Sequence, residues 1–185
     1  MAIADITTKI RGNLIIDSYK QWLKPKSKVL DVGCGNGIIS EVLYKHFNLD
    51  LTGCDTLSYL TRPIKFVQMK SENKLPFKNK QFNTVMFNDV LHHIYKDDQE
   101  KLIKEAMRVS KHVLIFELKP TIIGTVSDWT INKIHNWNMR IPFTYRSVDQ
   151  WCQLFKKLKL TYEVKYIDAP IWYPFSHVGF RISNI

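Results

Sequence analysis

The feature that most constrains this chain is a run of glycines between an apolar strand and an amphipathic helix. Residues 28–37 read KVLDVGCGNG, and residues 38–44 then space their apolar side chains as a helix does. Glycine suits such a turn because a side chain there would block a ligand or require a disfavoured φ angle. A strand, a glycine turn and a helix start together predict a nucleotide-binding elbow.

The spacing of the glycines distinguishes the kinds of nucleotide-binding turn. A dinucleotide fingerprint, G-x-G-x-x-G, would place its third glycine at position 38, which is Ile38. A P-loop is excluded because no Gly-Lys-Ser/Thr follows. Asp55 closes the next apolar run about twenty residues further on, where an acid can accept both ribose hydroxyls of a nucleoside. The pattern therefore favours a nucleoside ligand and argues against a nicotinamide oxidoreductase.

The residues around this turn carry a resemblance to a known family. The stretch 31–37, DVGCGNG, resembles motif I of the class I S-adenosylmethionine-dependent methyltransferases. The resemblance covers the chain from about residue 10 to its end. Within the family, the chain resembles the small type 11 subgroup. Further matches follow in the family order: Leu75-Pro76-Phe77, Phe82 ahead of Val85, Asp89-Val90-Leu91-His92-His93, and Glu105 with Arg108-Val109. The resemblance implies S-adenosylmethionine as the cofactor.

Resemblance and topology together nominate the cofactor-binding residues. Many family members hold the adenine with an aspartate in the loop after the third strand, where this chain has Ser71 followed by Glu72. Asn88 ends the fourth strand, and ligands of such sheets bind outside the carboxyl ends of the strands. The residues expected to hold the cofactor are Asp31, Gly33, Cys34, Gly35, Gly37, Asp55, Ser71, Glu72 and Asn88.

Apolar periodicity predicts strands that alternate with helices. We expect strands at 28–32, 49–54, 64–69, 81–88, 111–117, 160–169 and 178–182, and helices at 5–24, 37–47, 97–108 and after Ser147. Such alternation predicts a parallel sheet with helices on both faces, and the resemblance implies an antiparallel last strand. The expected fold is α/β and Rossmann-like, with a seven-stranded, mostly parallel sheet in one domain over residues 1–185.

Five residues are candidates for catalytic roles at the methyl acceptor. His92 and His93 follow the fourth strand, and a histidine can remove a proton because its pKa lies near neutrality. Asp128, His135 and Tyr145 lie in 119–146, where the family carries a substrate-covering insertion. Aromatic side chains among polar ones suit a small, partly apolar or aromatic acceptor. The structural alternatives are loop-holding histidines and a small satellite core, and a methyl donor that is already activated needs no obvious catalytic residue.

Composition bears on partners and location. The net charge of +10, from 27 basic and 17 acidic residues, invites a polyanion such as nucleic acid or an anionic membrane surface, although the cations are spread along the chain. No apolar run approaches the roughly 20 residues of a membrane span, and the start does not resemble a signal peptide. The three scattered cysteines predict neither a disulfide framework nor a metal site. We expect a cytoplasmic protein and leave its oligomeric state open.

Two other functions stay open at this point. A nucleic-acid methyltransferase fits the basic charge, but the chain lacks the Pro-Pro-aromatic run of amino-methylating enzymes and the cysteine of cytosine C5 enzymes. Asp89 and Lys119 match only part of the set that ribose 2′-O enzymes use. A non-catalytic binding or regulatory protein on the same fold is the second alternative, and the intact glycines and acids argue against it.

Overall fold

The computed structural model describes the backbone of residues 3–135, 142 and 144–184, without the side chains of residues 3–6, 128, 131, 132, 134 and 135. The helices are α1 (Ile3–Tyr19), α2 (Ile38–Phe47), α3 (Lys96–Val109), α4 (Ile122–His135) and α5 (Val148–Lys157). The strands are β1 (Lys28–Val32), β2 (Asp50–Asp55), β3 (Lys65–Gln68), β4 (Phe82–Asn88), β5 (Ser110–Leu118), β6 (Leu160–Tyr166) and β7 (His177–Asn184).

The strands form one seven-stranded sheet in the order β3-β2-β1-β4-β5-β7-β6. Strands β1 to β5 pair in parallel, whereas β7 lies between β5 and β6 and runs antiparallel to both. The predicted fold class is confirmed. The chain turns back at β1, since β2 and β3 lie on one side of it and β4 on the other. This reversal creates a crevice at the carboxyl ends of β1 and β4, the usual ligand position in such sheets.

Two hydrophobic clusters cover the two faces of the sheet. One packs α1 and α2 against alternate residues of the central strands, with Tyr19 and Leu43 fully buried. The other packs α3 and α5 against the intervening residues, around Trp151 and Phe155. Because successive side chains of a strand point to opposite faces, apolar strands such as β1 and β5 serve both clusters.

The structure differs from the predicted elements mainly at their ends. Helix α1 ends at Tyr19 instead of residue 24, since the amides of Trp22 and Leu23 turn back to the Tyr19 carbonyl at 2.8 and 3.0 Å. Strand β6 ends at Tyr166 instead of residue 169, and β7 is longer than predicted. The predicted break in the alternation contains a helix, α4, while Trp137 and Phe143 of that segment lie outside the described residues.

The glycine turn packs directly against the loop that follows β4. Gly33 has a φ of +73°, and a Cβ placed on it would lie 2.2 Å from Cγ2 of Val90. Only glycine therefore meets both the backbone and the packing requirement at this position. Gly12, in the middle of α1, offers the opposite case, because a Cβ there would lie 3.6 Å from its nearest neighbour, an ordinary contact.

We expect Gly33→Ala to lower the free energy of unfolding by about 2 kcal/mol or more, through backbone strain and the clash with Val90. The matched variant Gly12→Ala should leave stability unchanged or raise it by up to about 1 kcal/mol, since alanine favours a helix. Urea denaturation of both variants checks this. Equal stability of Gly33→Ala and the wild type would contradict the close approach of the turn and Val90.

Candidate functional site

The glycine turn and the end of β2 form the first half of the site. The amides of Gly33 and Cys34 donate to the carbonyl of Cys54 at 2.8 and 3.2 Å, and the amide of Gly35 donates to Oδ2 of Asp55 at 3.0 Å. A Cβ on Gly35 would meet no atom within 4 Å. The turn is thus held to β2 from below while the space above Gly35 is open.

A chain of hydrogen bonds runs beneath the turn. The buried carboxylate of Asp31 accepts from the Ser40 hydroxyl at 2.6 Å and from the Asn88 amide at 3.0 Å. The buried hydroxyl of Tyr19 donates to the Asn88 side-chain oxygen at 3.0 Å. The chain joins β1, α2, β4 and α1, so the side chain of Asn88 is held from two sides at the carboxyl edge of the sheet.

A buried histidine and a buried glutamate meet beyond Asn88. Nδ1 of His92 lies 2.6 Å from Oε2 of Glu117, and both side chains are at most 2% exposed. The other Glu117 oxygen accepts from the amides of Val90 and Leu91 at 2.9 and 2.6 Å. Since a carboxylate only accepts, Nδ1 of His92 carries the proton and Nε2 is the basic nitrogen of the ring.

A second acid–histidine pair lies beside the first. Nε2 of His177 is 3.3 Å from Oδ1 of Asp89, and Nη1 of Arg11 is 3.8 Å from Oδ2. Burial alone would raise the pKa of Asp89, but His177 and Arg11 hold this pKa below its ordinary value. The His177 ring stacks on Phe116 with centroids 4.4 Å apart. Asp89 is thus a buried carboxylate that lies beside an imidazole otherwise packed against aromatic rings.

His93 differs from these two histidines in its surroundings. Its ring centroid lies 4.2 Å from that of His92. Burial, reinforced by the neighbouring His92, lowers the pKa of His93 to about 3. The ring is therefore neutral at pH 7 and is a weak base.

Residues at the end of the 119–146 insertion position Tyr145 against this cluster. The Tyr145 ring stacks on His92 with centroids 5.1 Å apart and planes 13° from parallel. The preceding Thr144 hydroxyl contacts the carbonyls of His92 and Ile94 at 2.8 and 2.6 Å. The amide of Gln99, which is fully buried, donates to the Thr144 carbonyl at 3.1 Å. This network fixes the segment that carries Tyr145 to the loop that carries His92.

Comparison with known proteins agrees with this geometry. A family model described as a methyltransferase domain matches residues 30–114, the stretch from β1 to β5 that includes the turn, Asp55 and the loop after β4. The eEF1A lysine and N-terminal methyltransferases of Bos taurus and Homo sapiens are 27% and 26% identical to this chain over 104 residues. Over residues 30–114 the chain thus matches the methyltransferase-domain family that its sequence motifs resemble. These matches cover 50% of the chain and 15% of each relative.

Solved methyltransferase structures share the fold. A putative methyltransferase of Haloferax volcanii, in complex with the Trm112 methyltransferase activator, superposes with a TM-score of 0.74 at 14% identity, over 97% of this chain and 91% of that one. The 1,6-didemethyltoxoflavin-N1-methyltransferase of Burkholderia thailandensis, with bound S-adenosylhomocysteine, gives 0.71 at 13% identity, over 98% and 82%. The predicted cofactor, S-adenosylmethionine, is confirmed by the methyltransferase-domain match.

Most of the predicted cofactor residues lie at the carboxyl edge of the sheet. Those on the turn or at the ends of β1, β2 and β4 are Asp31, Gly33, Cys34, Gly35, Gly37, Asp55 and Asn88. Ser71 and Glu72 follow β3 and are exposed, and the Ser71 hydroxyl donates to Asn73 at 2.9 Å. Their contact with a cofactor stays a prediction, as does that of the residues on the turn.

The predicted acceptor residues divide into two groups. His92, His93 and Tyr145 lie together beside β4, with both histidines in the 3₁₀ turn Leu91–His93. Asp128 and His135 lie on α4, but their side chains fall outside the described residues. The catalytic roles of all five stay predictions.

Sequence reasoning missed four residues of the site: Tyr19, Arg11, Glu117 and His177. The sequence could have indicated Glu117, because a carboxylate at the end of an otherwise apolar strand must find buried donors. The sequence gives no such indication for His177, since its partner Asp89 is distant in the chain. Only the insertion of β7 beside β5 brings the two residues together.

The described ranges, residues 3–135, 142 and 144–184, bear on membrane crossing and on metal binding. None of the helices in those ranges has the length and apolar content that a bilayer crossing requires. In the same ranges, the histidine, cysteine, aspartate and glutamate side chains form no group that could hold a metal ion.

The buried carboxylate of Asp31 should be visible in the pH dependence of stability. Burial raises the pKa of Asp31 from its ordinary 3.8 to about 6, although Ser40 and Asn88 act in the opposite direction. Between these values the folded state binds more protons than the unfolded chain, so the free energy of unfolding falls as pH rises through this window. The contribution of Asp31 is about 3 kcal/mol.

Asp31→Asn removes this dependence, so its free energy of unfolding should fall less than that of the wild type between about pH 4 and pH 6. Urea denaturation at intervals across this range checks the slope. The exposed Asp168 provides the matched control, because Asp168→Asn should follow the wild-type curve. Parallel curves for Asp31→Asn and the wild type would contradict the raised pKa.

Proposed function

We propose that this chain transfers the methyl group of S-adenosylmethionine to a small, partly apolar or aromatic acceptor. The observation that carries the proposal is the shared position of two features. The open glycine turn with Asp55 lies at the carboxyl ends of β1 and β2. The two acid–histidine pairs lie at the same edge, at the carboxyl ends of β4 and β5 and the start of β7. A methyl donor and an acceptor with an ionisable group need neighbouring sites of these two kinds.

The cofactor would lie over the glycine turn. The open space above Gly35 allows a close approach to the backbone, as a nucleoside ligand requires. Oδ1 of Asp55 has only long contacts, at 3.4 Å, to Thr56 and Leu57, so this oxygen can accept from a ribose hydroxyl. Asp31, Gly33, Cys34, Gly37 and Asn88 surround these two residues. Ser71 or Glu72 would reach the adenine from the end of β3.

The acceptor would lie against the histidines. Bound S-adenosylmethionine supplies a methyl group that its sulfonium already activates, so the protein's main task is to position the nucleophile. His92 is the best candidate for removal of a proton, because Glu117 holds its ring through Nδ1. His177 is a second candidate, since its Nε2 lies 3.3 Å from the buried carboxylate of Asp89. His93 is the weaker candidate, since its pKa of about 3 makes it a poor base.

The aromatic surroundings support a small acceptor. Tyr173 and Phe175 lie with ring centroids 6.0 and 6.3 Å from that of His177, and Tyr145 covers His92. Aromatic walls around a few polar groups are typical of small-molecule sites. Asp128 and His135 would contact the acceptor from α4, which follows β5 at the same edge. A cytoplasmic location stays a prediction, and acceptors of the relatives, such as didemethyltoxoflavin or eEF1A lysine, indicate only the range to screen.

The first test is the melting temperature with and without S-adenosylhomocysteine, with NAD as the control ligand. At about 100 times its dissociation constant, a bound ligand adds about 2.7 kcal/mol of stability, or roughly 5–10 °C in a chain of this size. Asp55→Asn should weaken binding about ten- to hundredfold, because a charged acceptor is lost.

Asp50→Asn is the matched control, since Asp50 is exposed at the opposite end of β2 and pairs only with Lys65. Its ligand-induced shift should equal that of the wild type. No shift with S-adenosylhomocysteine in the wild type would contradict the proposed cofactor site. A shift without methyl transfer to any acceptor would favour the binding or regulatory alternative.

The second test follows an acceptor screen with labelled S-adenosylmethionine, which starts with apolar small molecules and then includes RNA. With the acceptor found, His92→Gln or His177→Gln should lower kcat about 10²- to 10⁴-fold if that histidine removes the proton. His46→Gln, exposed at the far end of α2, should have wild-type kcat. An unchanged kcat and pH profile in both variants would exclude general base catalysis by these residues.

A further inference from the structure

Positive charge collects at the edge of the sheet opposite the candidate site. Strands β1 to β5 are parallel and β6 points the same way, so all six begin at this amino edge. Helices α2, α3 and α5 return from the carboxyl edge and end here with basic residues in their last turns. The amino edge is therefore built from strand starts and helix ends that are rich in lysine.

Ion pairs do not neutralise this edge. Acids near it already have cationic partners: Asp50 pairs with Lys65 at 2.6 Å, and Glu105 pairs with Arg108 at 2.7 Å. Glu100 lies between Lys104 and Lys157, at 2.8 and 2.7 Å. Several further lysines of the edge form no ion pair with any described residue: Lys24, Lys26, Lys28, Lys78, Lys111, Lys156 and Lys159.

The helix dipole explains only part of this pattern. A cation in the last turn of a helix, such as Lys156 in α5, is favoured by the carbonyl end of that helix. Lys24 and Lys26 lie in the connection before β1, and Lys78 lies before β4, so their charges serve no helix end. The excess of lysine is a property of the whole edge.

A shallow groove lies on one side of this edge. It encloses about 470 Å³ between the end of α3 and the starts of β4 and β6, and its lining includes Asn79, Lys80, Lys104, Arg108, Leu158 and Leu160. The Lys80 ammonium donates to the carbonyls of Met107 and Ser110 at 2.9 and 2.7 Å. The pKa of His112 is lowered by burial, and the nearby charges of Arg181, Lys111 and Lys80 lower it further. The cations that line the groove are hydrogen-bonded or ion-paired, so the exposed lysines elsewhere on the edge are the ones available to phosphates.

We propose that the amino edge is a binding surface for the phosphate backbone of a nucleic acid, separate from the methyl-transfer site. β5 has nine residues, so the two edges lie roughly 30 Å apart. A strand held here would therefore lie outside the candidate site and act as a docking partner. Exposed lysines distributed along this edge match regularly spaced phosphates, and the release of counterions from those phosphates drives such binding.

A nucleic acid fits this surface better than a membrane does. A protein that lies on a bilayer inserts large apolar side chains beside its cations. The most exposed side chains of that kind among the described residues are Ile122 and Ile123 of α4 and Ile171 and Trp172 before β7. Those residues lie at or near the carboxyl edge, whereas the amino edge presents lysine with little exposed apolar surface.

The test compares two triple variants of equal charge by fluorescence anisotropy with a labelled oligouridine of about 20 nucleotides. Lys111→Gln, Lys156→Gln and Lys159→Gln together change the amino edge, and Lys9→Gln, Lys70→Gln and Lys96→Gln change exposed lysines elsewhere. The first variant should bind at least about tenfold more weakly than the second. Its slope of log affinity against log salt should be less steep by about 2, since each phosphate contact on a single strand contributes about 0.7.

Equal affinity of the two triple variants, or no binding by the wild type at low salt, would overturn the proposal. Preferential sedimentation of the wild type with phosphatidylserine vesicles, without RNA binding, would overturn it in favour of a membrane. A parallel measurement with labelled duplex DNA shows whether RNA or DNA is the source of the phosphates. Because the assay needs no cofactor and no acceptor, its outcome is independent of the S-adenosylhomocysteine test, and both triple variants should keep the wild-type melting shift with that ligand.

Discussion

The hydrogen bond between the buried Asp31 carboxylate and the Asn88 amide is the interaction on which the candidate site depends. It ties the end of β1 to the end of β4, the two strands between which the chain reverses direction. Ser40 and Tyr19 complete the chain and bring in α2 and α1. A buried carboxylate without such donors would cost several kcal/mol, so this arrangement constrains four elements at once. The glycine turn above it can then stay open, because its position is set from below.

The acceptor side follows the same physical rule, with buried acids that hold histidines. Glu117 fixes both the His92 ring and the backbone of the loop after β4, since its two oxygens serve different donors. Asp89 holds His177 in an apolar, aromatic setting. The His92–Glu117 pair joins the loop after β4 to the neighbouring strand β5, whereas the Asp89–His177 pair reaches from the end of β4 past β5 to the start of β7. In the proposed reaction this arrangement supplies orientation, which a methyl donor with an activated leaving group mainly requires.

The two ends of the sheet have opposite electrostatic character. Acidic groups of the site lie at the carboxyl edge, where Asp31, Asp55, Asp89 and Glu117 are buried or half-buried. Lysines gather at the amino edge, where they are exposed and in excess of the local acids. A parallel sheet with antiparallel helices permits this separation, because the strand starts and the helix ends share one side. The composition gives only a net charge of +10 and does not show where the charges lie.

The sequence by itself determined the local features whose causes lie within a few residues. The apolar period of the strands, the glycine turn with its positive φ angles and the acid after β2 were all predictable, and so the fold class and cofactor were too. The ends of α1 and β6 were less accurate, since a turn back to Tyr19 and the loss of a pairing partner decide them. Only the tertiary structure decided the acid–histidine pairs and the basic edge. Both join residues that are far apart in the chain, and the hydrogen bonds and ion pairs that select them exist only once β7 lies between β5 and β6 and the helices pack on the sheet.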